Sequence, residues 1–441
     1  MDQQMVRRAW LGAFGAVLVV PVLLRLATTP AEPMWTQLSV VTGLLALSAL
    51  VCAAVLPSRL RSLTRAFGIE TVLEVHRFLG SAVAVLVLAH LACVVAADPA
   101  QVALLHLGGA GPAAQAGTGA TVALGALVAL AVLRSRSRGT YEVWRLLHLA
   151  LGIAVLGLSA RHVWLLDDLV RDAGMYAVFA LLAGLLLSVL GYRWVWRSLL
   201  DPSTEFVVRE VRAETASVST LVLQPRRARH GSDATWDFVP GQFAWLRLRR
   251  SATAEEHPFT IASSAHLDRH VEFTIRHSGD FTQTLRGLRS GNPVWVDGPH
   301  GAFTLDDAGT GVVMIAGGIG VTPMMSMLRT AAHRRDRRPY LLVVVAGCRD
   351  ELLFRGELAA LRRQLDLEVT EVLRRPTPGW SGHTGEIGVG LLTAVLAGQE
   401  RHHDLDYYIC GPPTLIIDAL DALDVLAVPA DRVHTEQFEL V

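Results

Sequence analysis

Over its first two hundred residues the chain runs in long apolar blocks with short polar breaks, and beyond them charged and apolar positions alternate at close range. Six blocks are long and apolar enough to cross a bilayer: about Ala9 to Ala27, Trp35 to Leu56, Thr71 to Ala97, Ala113 to Leu133, Val143 to Leu166 and Gly174 to Trp196. Each approaches the roughly 20 residues that a helix rising about 1.5 Å per residue needs to span the hydrocarbon layer. The pattern predicts a membrane α-helical six-span bundle over residues 1–200, followed by a water-soluble half. Arg7 and Arg8, then Arg59, Arg61 and Arg65, then Arg134, Arg136 and Arg138, then Arg193 and Arg197 fall on alternate sides of these spans, whereas the opposite loops hold only Arg171. Arginine-rich loops face the cytoplasm, so both termini and the soluble half are expected there, with the chain a multi-pass protein of the cell membrane. Arg7 and Arg8 ahead of an apolar core imitate a signal peptide, but the core is long and no small-residue cleavage site follows, so a retained helix is expected.

Histidines at membrane depth add chemistry to this outline. His76 and His90 lie fourteen residues apart on the third span, and His148 and His162 repeat that spacing on the fifth. Fourteen residues make nearly four helical turns, so both imidazoles of a span point to about the same side, about 21 Å apart along the axis. The two spans run in the same direction, which levels His76 with His148 and His90 with His162. Each level can clamp one haem, and two imidazoles fill both axial positions of the iron, which suits electron transfer. The alternative is four core histidines bonded to neighbouring helices; the repeated spacing on co-oriented spans favours ligation. Arg77, Arg145 and Arg161 can pair with haem propionates or anchor at the interface. His106, in a glycine-rich outer loop, reads as solvated.

In the soluble half, period-two alternation at Phe206 to Val211, Val218 to Leu223 and Phe243 to Leu248 predicts a small antiparallel β-barrel over about 203–305. An α/β parallel-sheet unit is expected over 306–441. There the apolar strand Val312 to Ala316 leads into Gly317-Gly318-Ile319-Gly320-Val321-Thr322-Pro323 and a helical run from Met324. Such glycines let the backbone approach a pyrophosphate; Thr322 is expected to cap the helix and Pro323 to take its first position. Further strands at Leu341 to Ala346, before Arg349, and Tyr407 to Ile409, before Cys410-Gly411-Pro412, complete the pattern. Strands alternating with helices place a ligand at the C-terminal edge of the sheet. Formal charge balances, with 40 Lys plus Arg against 40 Asp plus Glu, so no basic field points to nucleic acid. The four cysteines suggest no disulfide framework and fit a reduced compartment.

With these motifs in hand, the chain resembles the ferric reductase and NADPH oxidase superfamily over nearly its whole length. His257-Pro258-Phe259-Thr260-Ile261-Ala262-Ser263-Ser264 resembles the family's flavin motif, and Phe273-Thr274-Ile275-Arg276 leading to Gly279-Asp280-Phe281-Thr282 resembles its second, in which an Arg meets the FAD pyrophosphate and a Thr completes the cradle. Gly317 to Pro323 matches the NADPH pyrophosphate turn, and Cys410-Gly411-Pro412 the segment beneath the nicotinamide. Arg349 and Arg375 resemble positions at the adenosine end, and two arginines there favour a 2′-phosphate, hence NADPH over NADH. The resemblance implies a bundle holding two b-type haems, an FAD-binding β-barrel domain and an NADPH-binding α/β domain. Two positions depart from the pattern: Leu440 stands where the family has an aromatic that stacks on the flavin, and Val94 stands where the dedicated oxidases have a further His. The implied activity is electron transfer from NADPH through FAD and the haems to an acceptor across the membrane, either a ferric chelate or another extracytoplasmic acceptor. Superoxide formation from oxygen at the outer haem is the alternative, and a haem-free, membrane-anchored flavin reductase is the second.

Overall fold

The computed structural model describes residues 3–30, 32–105, 110–134, 141–226, 236–266, 270–306, 309–397 and 402–437. The chain divides into two compact units, Met1–Leu200 and Asp201–Val441.

The first unit is helical: α1 (Gln3–Thr28), α2 (Met34–Val55), the short α3 (Arg61–Phe67), α4 (Ile69–Ala97), α5 (Pro112–Val132), α6 (Tyr141–Trp164), the single turn α7 (Asp167–Val170) and α8 (Ala173–Leu190). A π-helical stretch, Gly191–Leu200, continues α8. Among the described residues six helices are long and apolar enough to span a membrane, where the helix satisfies every backbone polar group internally. α4 packs chiefly along α2, and α6 along α5. Small residues make these approaches possible: Ala46, Ala49 and Ala53 on α2 and Ala116 and Ala120 on α5 are buried. The break between α3 and α4 falls at Gly68, whose φ of 76° is left-handed and suits glycine. The last predicted span, written as Gly174 to Trp196, changes helix type at Gly191.

The second unit opens with a six-stranded antiparallel sheet built from β1 (Glu205–Thr215), β2 (Val218–Pro225), β3 (Phe243–Arg247), β4 (Glu256–Thr260), β5 (Val271–Arg276) and β6 (Pro293–His300), in the order β4-β3-β6-β1-β2-β5. An antiparallel bridge from Ile261 to Phe273 joins the two edges, closing a barrel around Phe206, Leu223, Leu246 and Phe273. The alternation reads this strand as Phe206 to Val211, but β1 runs on to Thr215. Two register shifts against β2 twist its far half into a ribbon whose face is half exposed.

Then comes a parallel sheet of β7 (Val312–Gly317), β8 (Tyr340–Ala346), β9 (Leu367–Leu373), β10 (His383–Thr384), β11 (Asp406–Gly411) and β12 (Val433–Gln437), in the order β10-β9-β8-β7-β11-β12. The short α9 (Asp280–Arg286) belongs to the barrel. Helices α10 (Val321–Arg334) and α11 (Arg355–Leu361) cover one face of the parallel sheet, and α12 (Val389–Val395) and α13 (Pro413–Val425) the other. Succession along the chain runs outward from β7 to β10 and then returns to β11 on its other side. The order reverses between β7 and β11, and in such sheets the crevice at that reversal takes the ligand.

Candidate functional site

The bundle brings two pairs of imidazoles together. His76 on α4 and His148 on α6 face each other with ring centroids 6.2 Å apart and planes at 60°, and His90 and His162 do so at 6.5 Å and 76°. Nδ1 of His76 reaches the Ala53 carbonyl at 2.9 Å, that of His90 the Ser39 carbonyl at 2.7 Å, and that of His162 the Ala113 carbonyl at 2.8 Å. A carbonyl can only accept, so in each case Nδ1 carries the proton and donates it, and Nε2 keeps its lone pair. His148 differs: among the described residues its buried Nδ1 has no hydrogen-bond partner. Its ring stacks on Trp144 at 5.1 Å, and the Trp144 Nε1–H donates to the Leu130 carbonyl.

These pairs fit haem iron. Imidazole nitrogens about 2 Å either side of a metal, with roughly 1.1 Å more to each ring centre, set the centroids roughly 6.2 Å apart; the observed separations are 6.2 and 6.5 Å. Among the described residues no group of three or more His, Cys, Asp or Glu gathers around a metal position. Two ligands per level suit an iron whose other four come from a macrocycle. Arg77 and Arg161, adjacent to the ligands in sequence, are exposed, and Arg145 is half-buried. His106, Arg136 and Arg138 lie outside the described residues.

In the second unit the strand-order reversal is lined by the two glycine segments. β7 ends at Gly317, Gly318–Gly320 form a single 3-10 turn, and α10 starts at Val321. A Cβ at Gly320 would overlap the Cys410 carbonyl, and one at Gly317 would lie 2.8 Å from both Leu415 and Pro412. The turn therefore packs directly on Cys410-Gly411-Pro412, and Cys410 is fully buried between β7 and β12. Arg276, at the end of β5, brings Nη2 to 2.8 Å from where a Gly318 Cβ would be. A guanidinium thus sits beside the glycine turn that opens α10, and both favour negative charge. Two local expectations are corrected. Because the glycines form their own turn, the helix starts earlier than Met324, so Thr322 and Pro323 take its second and third positions. Thr322 does not cap: its hydroxyl donates to the Ile319 carbonyl at 2.9 Å. Pro323 costs nothing there, since first-turn N–H groups have no helical acceptor.

Along the flavin-motif strand β4, His257, Pro258 and Phe259 are half-buried, and His257 and Phe259 lie over Phe281 with centroids at 4.6 and 6.2 Å. Thr260 is buried, and its Oγ1 has no hydrogen-bond partner among the described residues. An unsatisfied buried hydroxyl costs about 1–3 kcal/mol, so this one fits a site completed by a polar cofactor edge. Other motif residues are occupied internally. The Ser263 hydroxyl accepts from the Glu272 N–H, and the Thr282 hydroxyl accepts from the N–H groups of Ser278 and Gly279 and donates to the Gly279 carbonyl. Those two act by shaping the loops.

Arg349 and Arg375 follow the adjacent strands β8 and β9. Both are exposed, with Arg375 Nη2 3.8 Å from Glu351 Oε1, and the Glu351 carboxylate accepts from the Gly347 N–H at 3.0 Å. Leu440 and Phe438 lie outside the described residues.

One polar helix face was missed by sequence reasoning. Arg329 on α10 donates to both oxygens of Glu357 at 2.7 Å, to the Ala262 carbonyl at 2.6 Å and to Glu272 at 3.2 Å. Burial opposes its charge, but the Glu357 hydrogen bonds and the Glu357 and Glu272 charges outweigh that and raise its pKa. Ser326 donates to the Ser263 carbonyl, and the Thr330 hydroxyl accepts from the Ala265 N–H. The available signal was Ser326, Arg329 and Thr330 sharing one face of an otherwise apolar helix. Through that face, the helix that begins at the nucleotide turn holds the end of the flavin motif.

A barrel with a buried polar edge at Thr260, a parallel sheet with a glycine turn at its reversal and a multi-pass apolar bundle together define a membrane NAD(P)H-dependent flavin oxidoreductase. Comparison with known proteins agrees domain by domain. Residues 42–159 match the family described as ferric reductase like transmembrane component, 206–304 an FAD-binding domain, and 314–421 an oxidoreductase NAD-binding domain. The chain belongs to the ferric reductase and NADPH oxidase superfamily. It is 30% identical over 239 residues to the reductase component of propane 2-monooxygenase from Mycolicibacterium goodii, covering 52% of this chain and 68% of that one. It is 25% identical over 242 residues to a flavohemoprotein of Bacillus subtilis (strain 168), covering 53% and 58%. Among solved structures, the FAD/NAD-binding domain of nitric oxide dioxygenase from Vibrio cholerae O1 biovar El Tor aligns with a TM-score of 0.47 at 24% identity, over 53% of this chain and 98% of that one.

Proposed function

We propose that the chain is a transmembrane NADPH-dependent flavocytochrome b that passes electrons from cytoplasmic NADPH, by way of FAD and two bis-histidine haems, to an acceptor on the far side of the membrane, a ferric chelate. The observation that carries this reading is the double pair of facing imidazoles, 6.2 and 6.5 Å between centroids at two depths, with three of the four Nδ1 protons committed to backbone carbonyls. When bound, FAD divides a two-electron donor's reducing equivalents into single ones, and haem iron carries them singly.

The chain's own residues hold, orient and exclude. His76 and His148 serve the cytoplasmic level and His90 and His162 the outer level. Thr260 offers its unpaired hydroxyl to the flavin beside His257, Pro258 and Phe259, and Arg276 receives a pyrophosphate. Gly317, Gly318 and Gly320 admit the second dinucleotide's phosphates next to Cys410, Gly411 and Pro412. Arg349 and Arg375 take the 2′-phosphate that favours NADPH over NADH. This orientation, with both termini cytoplasmic, is supported by the alternation of arginine-rich loops.

The test begins with the absorption spectrum of the purified chain. A reduced b-type spectrum at about two haems per flavin is expected; its absence leaves a membrane-anchored flavin reductase. Sealed vesicles then separate the acceptors. Ferric-chelate reduction on the side opposite NADPH supports the reading, whereas cytochrome c reduction abolished by superoxide dismutase, without chelate reduction, replaces it with superoxide formation.

A further inference from the structure

The helix beside each ligand-bearing helix accepts three of the four Nδ1 protons, and between α2 and α4 the contacts repeat in an antiparallel register. His90 bonds to Ser39 and His76 to Ala53, so fourteen residues back along α4 correspond to fourteen forward along α2. In a helix the carbonyl of residue i already accepts from the N–H of residue i+4, and side chains lean toward the helix N-terminus, so the side chain at i+4 stands over that carbonyl. The residues four beyond the three accepting carbonyls are Gly43, Gly117 and Pro57. A Cβ at Gly43 would sit 3.1 Å from His90 Nδ1, and one at Gly117 3.0 Å from His162 Nδ1, both tighter than ordinary contact. Pro57 reaches the same end differently: it has no N–H, so the Ala53 carbonyl is left open for His76. The same register on α5 and α6 carries His162–Ala113 to His148–Leu127, and four beyond Leu127 stands Ala131. His148 is the histidine whose Nδ1 has no partner among the described residues.

We propose that Gly43, Gly117 and Pro57 are positioning residues for the axial histidines, opening one backbone carbonyl each to fix the donating tautomer, and that Ala131 withholds this from His148, leaving the cytoplasmic-level site with one anchored ligand and the outer-level site with two. The inference rests on the haem reading above. An anchored Nδ1–H makes imidazole the stronger donor to iron, and such supporting partners are worth about 10- to 100-fold in metal affinity. A tenfold loss felt by the ferric state alone raises a one-electron potential by about 59 mV.

The experiment is potentiometric titration and haem-to-flavin ratio of the purified full-length protein. Gly43→Ala and Gly117→Ala are expected to raise one and the same haem potential, or to lower the haem content toward one per flavin. Gly125→Ala, on α5 with nothing within 4 Å of an added Cβ, is expected to change neither. Ala131→Gly removes only a methyl group and is expected to lower the other haem's potential. Unmoved potentials with full haem content in both glycine variants, an equal change in Gly125→Ala, or an unmoved potential in Ala131→Gly would overturn the inference alone. Wild-type protein without haem would overturn it together with the haem reading.

Discussion

Replacing Arg329 by Met removes the guanidinium and keeps an unbranched apolar stem, and the consequences can be worked from its contacts. The guanidinium is 8% exposed and serves three acceptors: Glu357 through two bonds of 2.7 Å, the Ala262 carbonyl at 2.6 Å and Glu272 at 3.2 Å. Glu357, at 38% exposure, rehydrates cheaply; Glu272, at 11%, and the Ala262 carbonyl do not. Breaking a buried pair by removing one partner costs about 3–5 kcal/mol, and the exposure of Glu357 puts this case near the lower end, about 3 kcal/mol. For a unit of this size each kcal/mol moves Tm by about 2–4 °C, so the flavin-binding unit should unfold roughly 6–12 °C lower. Thermal scans of the full-length protein, read by the rise in flavin fluorescence on release, measure it. Arg329→Lys keeps the charge without the planar fork and should fall between the two. A Tm within about 2 °C of wild type for Arg329→Met, on a scale where 3 kcal/mol cannot hide, would refute the idea that α10 pins the flavin motif through this side chain.

Burial alone would raise the Asp336 carboxyl, but the side chain and backbone N–H of Arg338, with the Tyr340 hydroxyl, hold it at about 2, below its usual 3.8. A depressed carboxyl stabilises the fold above its unfolded value and stops doing so as pH falls through the folded one. Asp336→Asn should therefore be less stable than wild type at pH 7, with the difference closing between roughly pH 4 and pH 2; a gap in denaturant midpoints that stays constant across that window contradicts the assignment. In Gly320→Ala the new methyl meets the Cys410 backbone rather than a flexible side chain, so stability should drop by about 1–3 kcal/mol and KM for NADPH should rise. Unchanged values in steady-state assays would mean the turn is not in the binding crevice. Arg349→Ala and Arg375→Ala should each raise KM for NADPH about tenfold, the worth of a hydrogen bond to a charged group, while leaving NADH and kcat nearly alone. Equal losses with both nucleotides would remove these residues from the 2′-phosphate.

The sequence exposed the parts of this architecture that periodicity or residue type encodes. Apolar blocks are legible because lipid leaves the backbone no partner but itself, and the matched depths of His76 with His148 and His90 with His162 follow from helical rise alone. The glycine turn was visible, but its conformation was not: Gly318–Gly320 curls into a turn of its own, which moves Thr322 and Pro323 inward and takes away the capping role. Motif residues also looked alike when their duties differ. Thr260 has no hydroxyl partner among the described residues, whereas Ser263 and Thr282 use theirs on neighbouring N–H groups. That difference depends on which way a strand or loop turns its side chains. The acceptors for the histidine Nδ1 protons are backbone carbonyls, which have no letter in the sequence. Only the residue four positions later, a glycine or proline, leaves a trace.

The two units reach their functional geometry by opposite routes. In the second unit the strand reversal is shaped by protein alone: Gly317 and Gly320 against Cys410 to Pro412, and α10 against the flavin motif through Ser326, Arg329 and Thr330. In the bundle every Nδ1 contact stays inside one antiparallel hairpin, α2 with α4 or α5 with α6, while the ring pairs cross between hairpins. The orientation of His76, His90 and His162 is thus decided locally, and the distance between facing imidazoles by how closely two hairpins approach. Apolar helices in lipid gain little from the hydrophobic effect when they associate; here the hairpins already meet through Ala49 and Val83 against Leu124 and Val155, and a bridge between the facing rings would add to that packing. A metal group ligated from both sides is such a bridge, and its binding free energy is then assembly free energy. On this reasoning the repeated spacing of His76, His90, His148 and His162 does two jobs at once. In the proposed flavocytochrome it sets the path across the membrane, and it adds a ligated bridge to the packing that already joins the two hairpins.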